Sequence, residues 1–142
     1  MPQLRYETRT APEGQPVTTV SAIAVPLPPL AFAVEPGHYF LSAMVGILLP
    51  GGSTRVRVQA FVDDAPAGLM ADAQLTAIGR ATLPVVGVVH VRRGSVELRW
   101  FRVSGAGTLT ATDRAATLVR LDGDLLDVLA LLAVAAPQGF AS

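Results

Sequence analysis

Between Val17 and Asp122 the chain never holds one apolar pattern for long, because runs of about 5–10 residues are cut by clusters of Gly, Pro and Asp. That punctuation leaves little room for helices and predicts short strands joined by turns. "TRVRVQAFV" alternates, with Val56, Val58, Ala60 and Val62 on one face and Arg55, Arg57, Gln59 and Phe61 on the other, as a strand with one wet face does. "SVELRWFRV" alternates likewise, with Val96, Leu98 and Trp100 opposite Glu97, Arg99 and Phe101. The turn residues Arg92-Arg93-Gly94 predict a hairpin between this run and the preceding "LPVVGVVHV". The expected class is an all-β antiparallel sandwich or barrel.

Two runs break the alternation. From His38 to Leu48, and again in "LPVVGVVHV", apolar residues fall on both faces, so each strand requires cover on two sides. Nine hydrophobic residue types already make up 51% of the chain before any glycine is counted, above the ~45–50% usual for the wider apolar class. A second burial surface outside the sandwich is expected. Tyr39, Leu41, Ala43 and Val45 on the first run, with Val86, Val88 and His90 on the second, are the candidates for core or intersubunit contact, with Tyr39 pointing into packing and His38 away from it.

The flanks differ in texture. Residues 1–16 are polar, lack an apolar period and read as an extended N-terminal arm that orders only against another surface; Arg5, Tyr6 and Arg9 are its docking candidates. This stretch also lacks the basic head and apolar core of a signal peptide. "PLPPL" fits an edge or crossover, and "LMADAQLTAIG" stays open between an irregular connection and a short helix. In 123–142, Asp124 can cap a short apolar helix bearing Leu125, Val128, Leu129 and Leu132 on one face, with Pro137 and Gly139 ending it. Its apolar core of about 12 residues is far short of the ~20 that span a bilayer. The expected organisation is therefore an arm (1–16), a β-sandwich (17–122) and an apolar helix with tail (123–142).

Reactive chemistry is sparse. Eleven basic and eleven acidic residues cancel, which argues against a nucleic-acid partner, and cysteine is absent. The only two histidines, His38 and His90, without any cysteine make a poor transition-metal set. Asp63, Asp64 and Asp72, or Asp122, Asp124 and Asp127, match no calcium-loop spacing. "GAGTLT" joins strands where a dinucleotide loop must open a helix, and "GGSTR" lacks the phosphate-loop lysine. No serine lies in a nucleophile elbow. No catalytic residue, cofactor or metal site is expected. Tyr6, Trp100 and Phe101 are the obvious aromatics for a glycan-binding groove.

Gly37-His38-Tyr39-Phe40-Leu41-Ser42-Ala43, preceded by Phe32, resembles the G-x-Y-x-F stretch of C1q and tumour-necrosis-factor-like jelly rolls: Gly37 and Tyr39 match, and Leu41 replaces the usual aromatic. The order of strands over Val17–Asp122, the Asp63-Asp64 turn and the closing "GTLTATDRAATLVRL" look like the versions of this domain in bacteriophage virion proteins. The resemblance implies a jelly-roll homotrimer packed around a threefold axis, with no nucleic-acid or membrane partner. It implies a place in the virion, assembled in the host cytoplasm, against the major capsid protein or another virion protein, as a capsid decoration or head fibre. The alternative is a receptor- or glycan-binding tail-fibre tip or adhesin. The chain departs from the animal members in its aliphatic strands and the lack of a collagen-like G-X-Y stalk.

Overall fold

A computed structural model describes residues 6–121, and these form nine strands and no helix. They are β1 (Tyr6–Ala11), β2 (Val17–Thr19), β3 (Val25–Ala33), β4 (Gly37–Leu49), β5 (Thr54–Val62), β6 (Ala65–Leu75), β7 (Gly79–Val91), β8 (Ser95–Ser104) and β9 (Leu109–Arg120). Two antiparallel sheets result. The first has the order β1-β9-β4-β7, with β2 following β1 along the same edge of β9; the second has the order β3-β8-β5-β6. Among the described residues only the β1–β2 and β5–β6 connections stay within one sheet, and every other turn carries the chain across the sandwich. This is the all-β jelly-roll architecture.

Alternation builds the core between the sheets. Leu41, Val45, Ile47 and Leu49 of β4 meet Val56, Val58 and Ala60 of β5 and Leu98 and Trp100 of β8, all essentially sealed from solvent. Burying one such aliphatic side chain is worth about 1.5–3 kcal/mol. Leu69 of β6 occupies the space that a Cβ at Gly87 would fill, its Cδ2 lying 2.5 Å from that position, and so seals the β6–β7 side of the sandwich. Between β5 and β6, Asp63 and Asp64 take φ of 51° and 67° in a two-residue hairpin turn. Positive φ at both central positions matches the right-handed strand twist, and Asp tolerates it better than most residues.

Several expectations are corrected. β7 and β8 are not a hairpin: β7 pairs with β4, while β8 pairs with β3 and β5. Local turn chemistry reports only that the chain reverses, not which sheet receives the next strand. "LMADAQLTAIG" lies mostly within β6, an edge strand whose only ladder partner among the described residues is β5. "PLPPL" falls on an edge strand, as expected, but lies within β3, whose register shifts between Pro26 and Ala31. The arm is part of the sandwich over Tyr6–Ala11, which is laid antiparallel on β9 from Tyr6↔Val119 to Ala11↔Arg114. It lacks an apolar period because its hydrogen bonds go to its own chain's sheet. The expected C-terminal helix lies outside the described residues.

Candidate functional site

The two sheets present opposite kinds of outer face. On the second sheet the face is charged and tied together. Asp72 of β6 accepts hydrogen bonds from Arg55 at 2.5 Å and from Arg57 Nε at 2.7 Å. Arg57, whose side chain donates to it most strongly, holds the Asp72 carboxyl below its usual range, with Arg55 adding to the effect. Arg99 pairs with Glu97, reaches Asp64 at 2.7 Å and lies over the Phe61 ring at 4.3 Å. That cation covers an aromatic side chain that alternation puts on this face.

Asp63 serves the sandwich differently. Its carboxylate accepts four backbone N–H groups of the β7–β8 turn, from Arg92 (2.9 Å), Arg93 (3.0 Å), Gly94 (2.9 Å) and Ser95 (3.2 Å). Those donors, Gly94 foremost, hold its pKa well below the ordinary carboxylate range. On the other sheet, Arg114 is buried, has no carboxylate partner among the described residues, and donates to the carbonyls of Pro28, Gln15 and Thr112. Burial pushes its pKa down.

The outer face of the first sheet is apolar. Register sets its rows across β1, β9, β4 and β7: Tyr6, Val119, Phe40 and Val88; then Thr8, Thr117, Ser42 and Val86; then Thr10, Ala115, Met44 and Pro84. Val86 is 50% exposed, Val88 51% and Met44 51%. The middle row is a strip of hydroxyls, in which Thr8 and Thr117 meet at 3.2 Å. Charges stand at one end, where Arg80 pairs with Glu13 and Asp113 lies beside the Thr112 hydroxyl at 3.0 Å. Gly46 is required there, since a Cβ would sit 2.5 Å from Asp113 Oδ1. At the other end His38 and His90, directly opposite each other in the ladder, stack with ring centroids 4.2 Å apart and planes 3° from parallel.

The candidate residues therefore divide. Tyr39, Leu41, Ala43 and Val45 belong to the core between the sheets, with Tyr39 donating its hydroxyl to the Glu35 carbonyl at 2.6 Å. Val86, Val88 and His90 are on the outer face. On β4 the surface set has the other parity, Phe40, Ser42, Met44 and Leu48, which the apolar run contained but its pattern could not separate. Of the arm candidates, Tyr6 is 70% exposed, Arg9 lies over the Phe32 ring of its own chain at 5.1 Å, and Arg5 is outside the described residues. Trp100 is buried in the core, and Phe101 is half-buried beneath Arg57, which removes Trp100 from any glycan groove.

No protein-family model matches the sequence, and neither does any curated protein. Solved structures do share the fold. A domain of the infectious bursal disease virus particle of T13 type superposes with a TM-score of 0.61 at 13% identity, over 83% of this chain and 31% of that one. The infectious bursal virus-derived T=1 particle gives 0.61 at 12% identity, over 83% and 32%. Eiger TNF from S. frugiperda gives 0.56 at 11% identity, over 82% of this chain and 93% of that one. The chain spans about a third of the length of the viral chains it matches. At these identities the likeness establishes the jelly-roll fold, shared by capsid and tumour-necrosis-factor-like proteins.

Proposed function

We propose that this chain is a non-enzymatic structural subunit of a bacteriophage particle, of capsid-decoration or head-fibre type, which assembles as a homotrimer through the outer face of the β1-β9-β4-β7 sheet. The observation that carries the reading is that face itself: a broad apolar surface with hydroxyls at its centre and its charges at one end. Around a threefold axis the same groups of three copies converge where the face approaches the axis, which an apolar and hydroxyl face tolerates and a charged one does not. The fold shared with virus-particle and tumour-necrosis-factor-like proteins supports the same reading. Most of the described carboxylates are committed to arginines or backbone amides, and the two histidines to each other, which leaves no base oriented toward a nucleophile among the described residues. The partner this reading implies beyond the trimer is a neighbouring virion protein such as the major capsid protein.

Light scattering coupled to size exclusion tests the assembly: a mass three times the 14.8 kDa chain is expected, and a monomer at micromolar concentration overturns it. Co-sedimentation with undecorated capsids tests the virion role, and failure of a well-formed trimer to bind them removes that role alone.

A further inference from the structure

The two histidines of the chain are 52 positions apart in sequence and side by side in space, because the β4–β7 ladder pairs His38 with His90. Both are exposed and project from the same face. We propose that this pair is a binding site for a divalent transition cation of the zinc, nickel or copper class, ligated by one ring nitrogen from each histidine and completed by water.

The ladder supplies the geometry. A tetrahedral ion held at ~2.0–2.1 Å from two imidazole nitrogens requires those nitrogens to be about 3.3 Å apart. In the stacked arrangement the two ring planes are parallel and their in-plane lone pairs do not meet, so ligation requires both rings to rotate out of the stack until one nitrogen of each points at a common ion. Both side chains are exposed, which leaves that rotation free, and the backbone spacing that sets the pair belongs to the longest ladder of the first sheet. Imidazole selects this class of metal, whereas magnesium and calcium prefer oxygen. The charged groups around the pair are few. Asp63, Arg92 and Arg93 line the open cleft beside His90, with the Asp63 carboxylate held by backbone amides, and the Arg120 guanidinium lies beside Gly37. Among the described residues no third histidine, carboxylate or thiol joins the pair, so the remaining coordination positions face away from the sheet, at the end of the face that the proposed trimer uses. Both ligands come from one chain, and the site does not depend on self-association.

Isothermal titration calorimetry on the tag-free full-length chain decides the matter, with zinc chloride and nickel chloride as probes and magnesium chloride as control. Zinc and nickel are expected to bind one per chain at about pH 7.5, and magnesium to give no binding heat. His38→Gln and His90→Gln, each checked for native circular dichroism, should each weaken binding at least ~10-fold, since loss of a ligand costs no less than loss of a supporting hydrogen bond. Absence of binding to the parent chain, or undiminished binding in both folded variants, overturns the proposal. Light scattering with and without EDTA reads assembly separately, so a monomer that binds zinc and a trimer that does not are distinguishable outcomes.

Discussion

The outer faces of the two sheets are made from strands of similar length and differ almost entirely in what stands between the apolar side chains. On β5, β6 and β8, arginines and acids alternate with the core residues and hold one another, and the Phe61 ring is buried under a guanidinium. On β4, β7 and β9, valine, methionine, phenylalanine and alanine occupy the equivalent positions, and among the described residues nothing covers them. One face is finished for solvent, and the other leaves apolar side chains exposed among the described residues. The proposed assembly would use that second face while the shared core carries stability.

The matched pair of methionines gives the largest expected contrast. Met44 and Met70 are 51% and 45% exposed, one on each face. Met44→Asp should reduce the particle from trimer to the 14.8 kDa monomer, while Met70→Asp leaves the mass unchanged; equal behaviour of the two in light scattering breaks the comparison.

Next in size is the contrast between core and surface on β4. Tyr39→Ala should cost ~3–5 kcal/mol in chemical denaturation, as loss of a buried aromatic does, and His38→Ala should stay within ~0.5 kcal/mol. Similar midpoints for the two would show that the outer face is buried as deeply as the core.

Asp63 ties the β5–β6 turn to the β7–β8 turn that links the two sheets. Its pKa is depressed in the folded chain, so its stabilisation is complete above the ordinary carboxylate value of ~3.9 and is lost as pH falls below it toward the depressed value. Asp63→Asn should lower the melting temperature at neutral pH and flatten its decline below about pH 4. A variant that retains the full acid slope assigns that slope to other carboxylates.

The smallest effect belongs to the charged face. Asp72→Asn weakens two partly exposed arginine contacts and should cost no more than about 1 kcal/mol, without change of assembly. Loss of assembly in this variant would place the contact surface on the wrong sheet.

Much of this architecture was legible along the chain. Val56, Val58 and Ala60 alternate with Arg55, Arg57 and Gln59, and that period alone assigns their faces. In β4 the period carries no such information, because Tyr39 and Phe40, or Ala43 and Met44, are apolar on both sides of the strand. Selecting Tyr39, Leu41, Ala43 and Val45 together with Val86 and Val88 mixed core with surface for that reason. The arm was misread because an edge strand needs only backbone partners, which leave no trace in side-chain pattern.

What the sequence by itself determined is the strand class, the turns at Pro50-Gly51-Gly52 and Asp63-Asp64, and an excess of apolar surface demanding cover, since these follow from local φ/ψ preference and composition. The tertiary structure alone decided that β7 and β8 part into different sheets, that residues 6–11 close against β9, and that His38 stands beside His90. Each of these is a pairing between strands distant in the chain, or a choice between sheets. Such choices are settled by how all nine strands share one core, a condition that no short stretch of sequence contains.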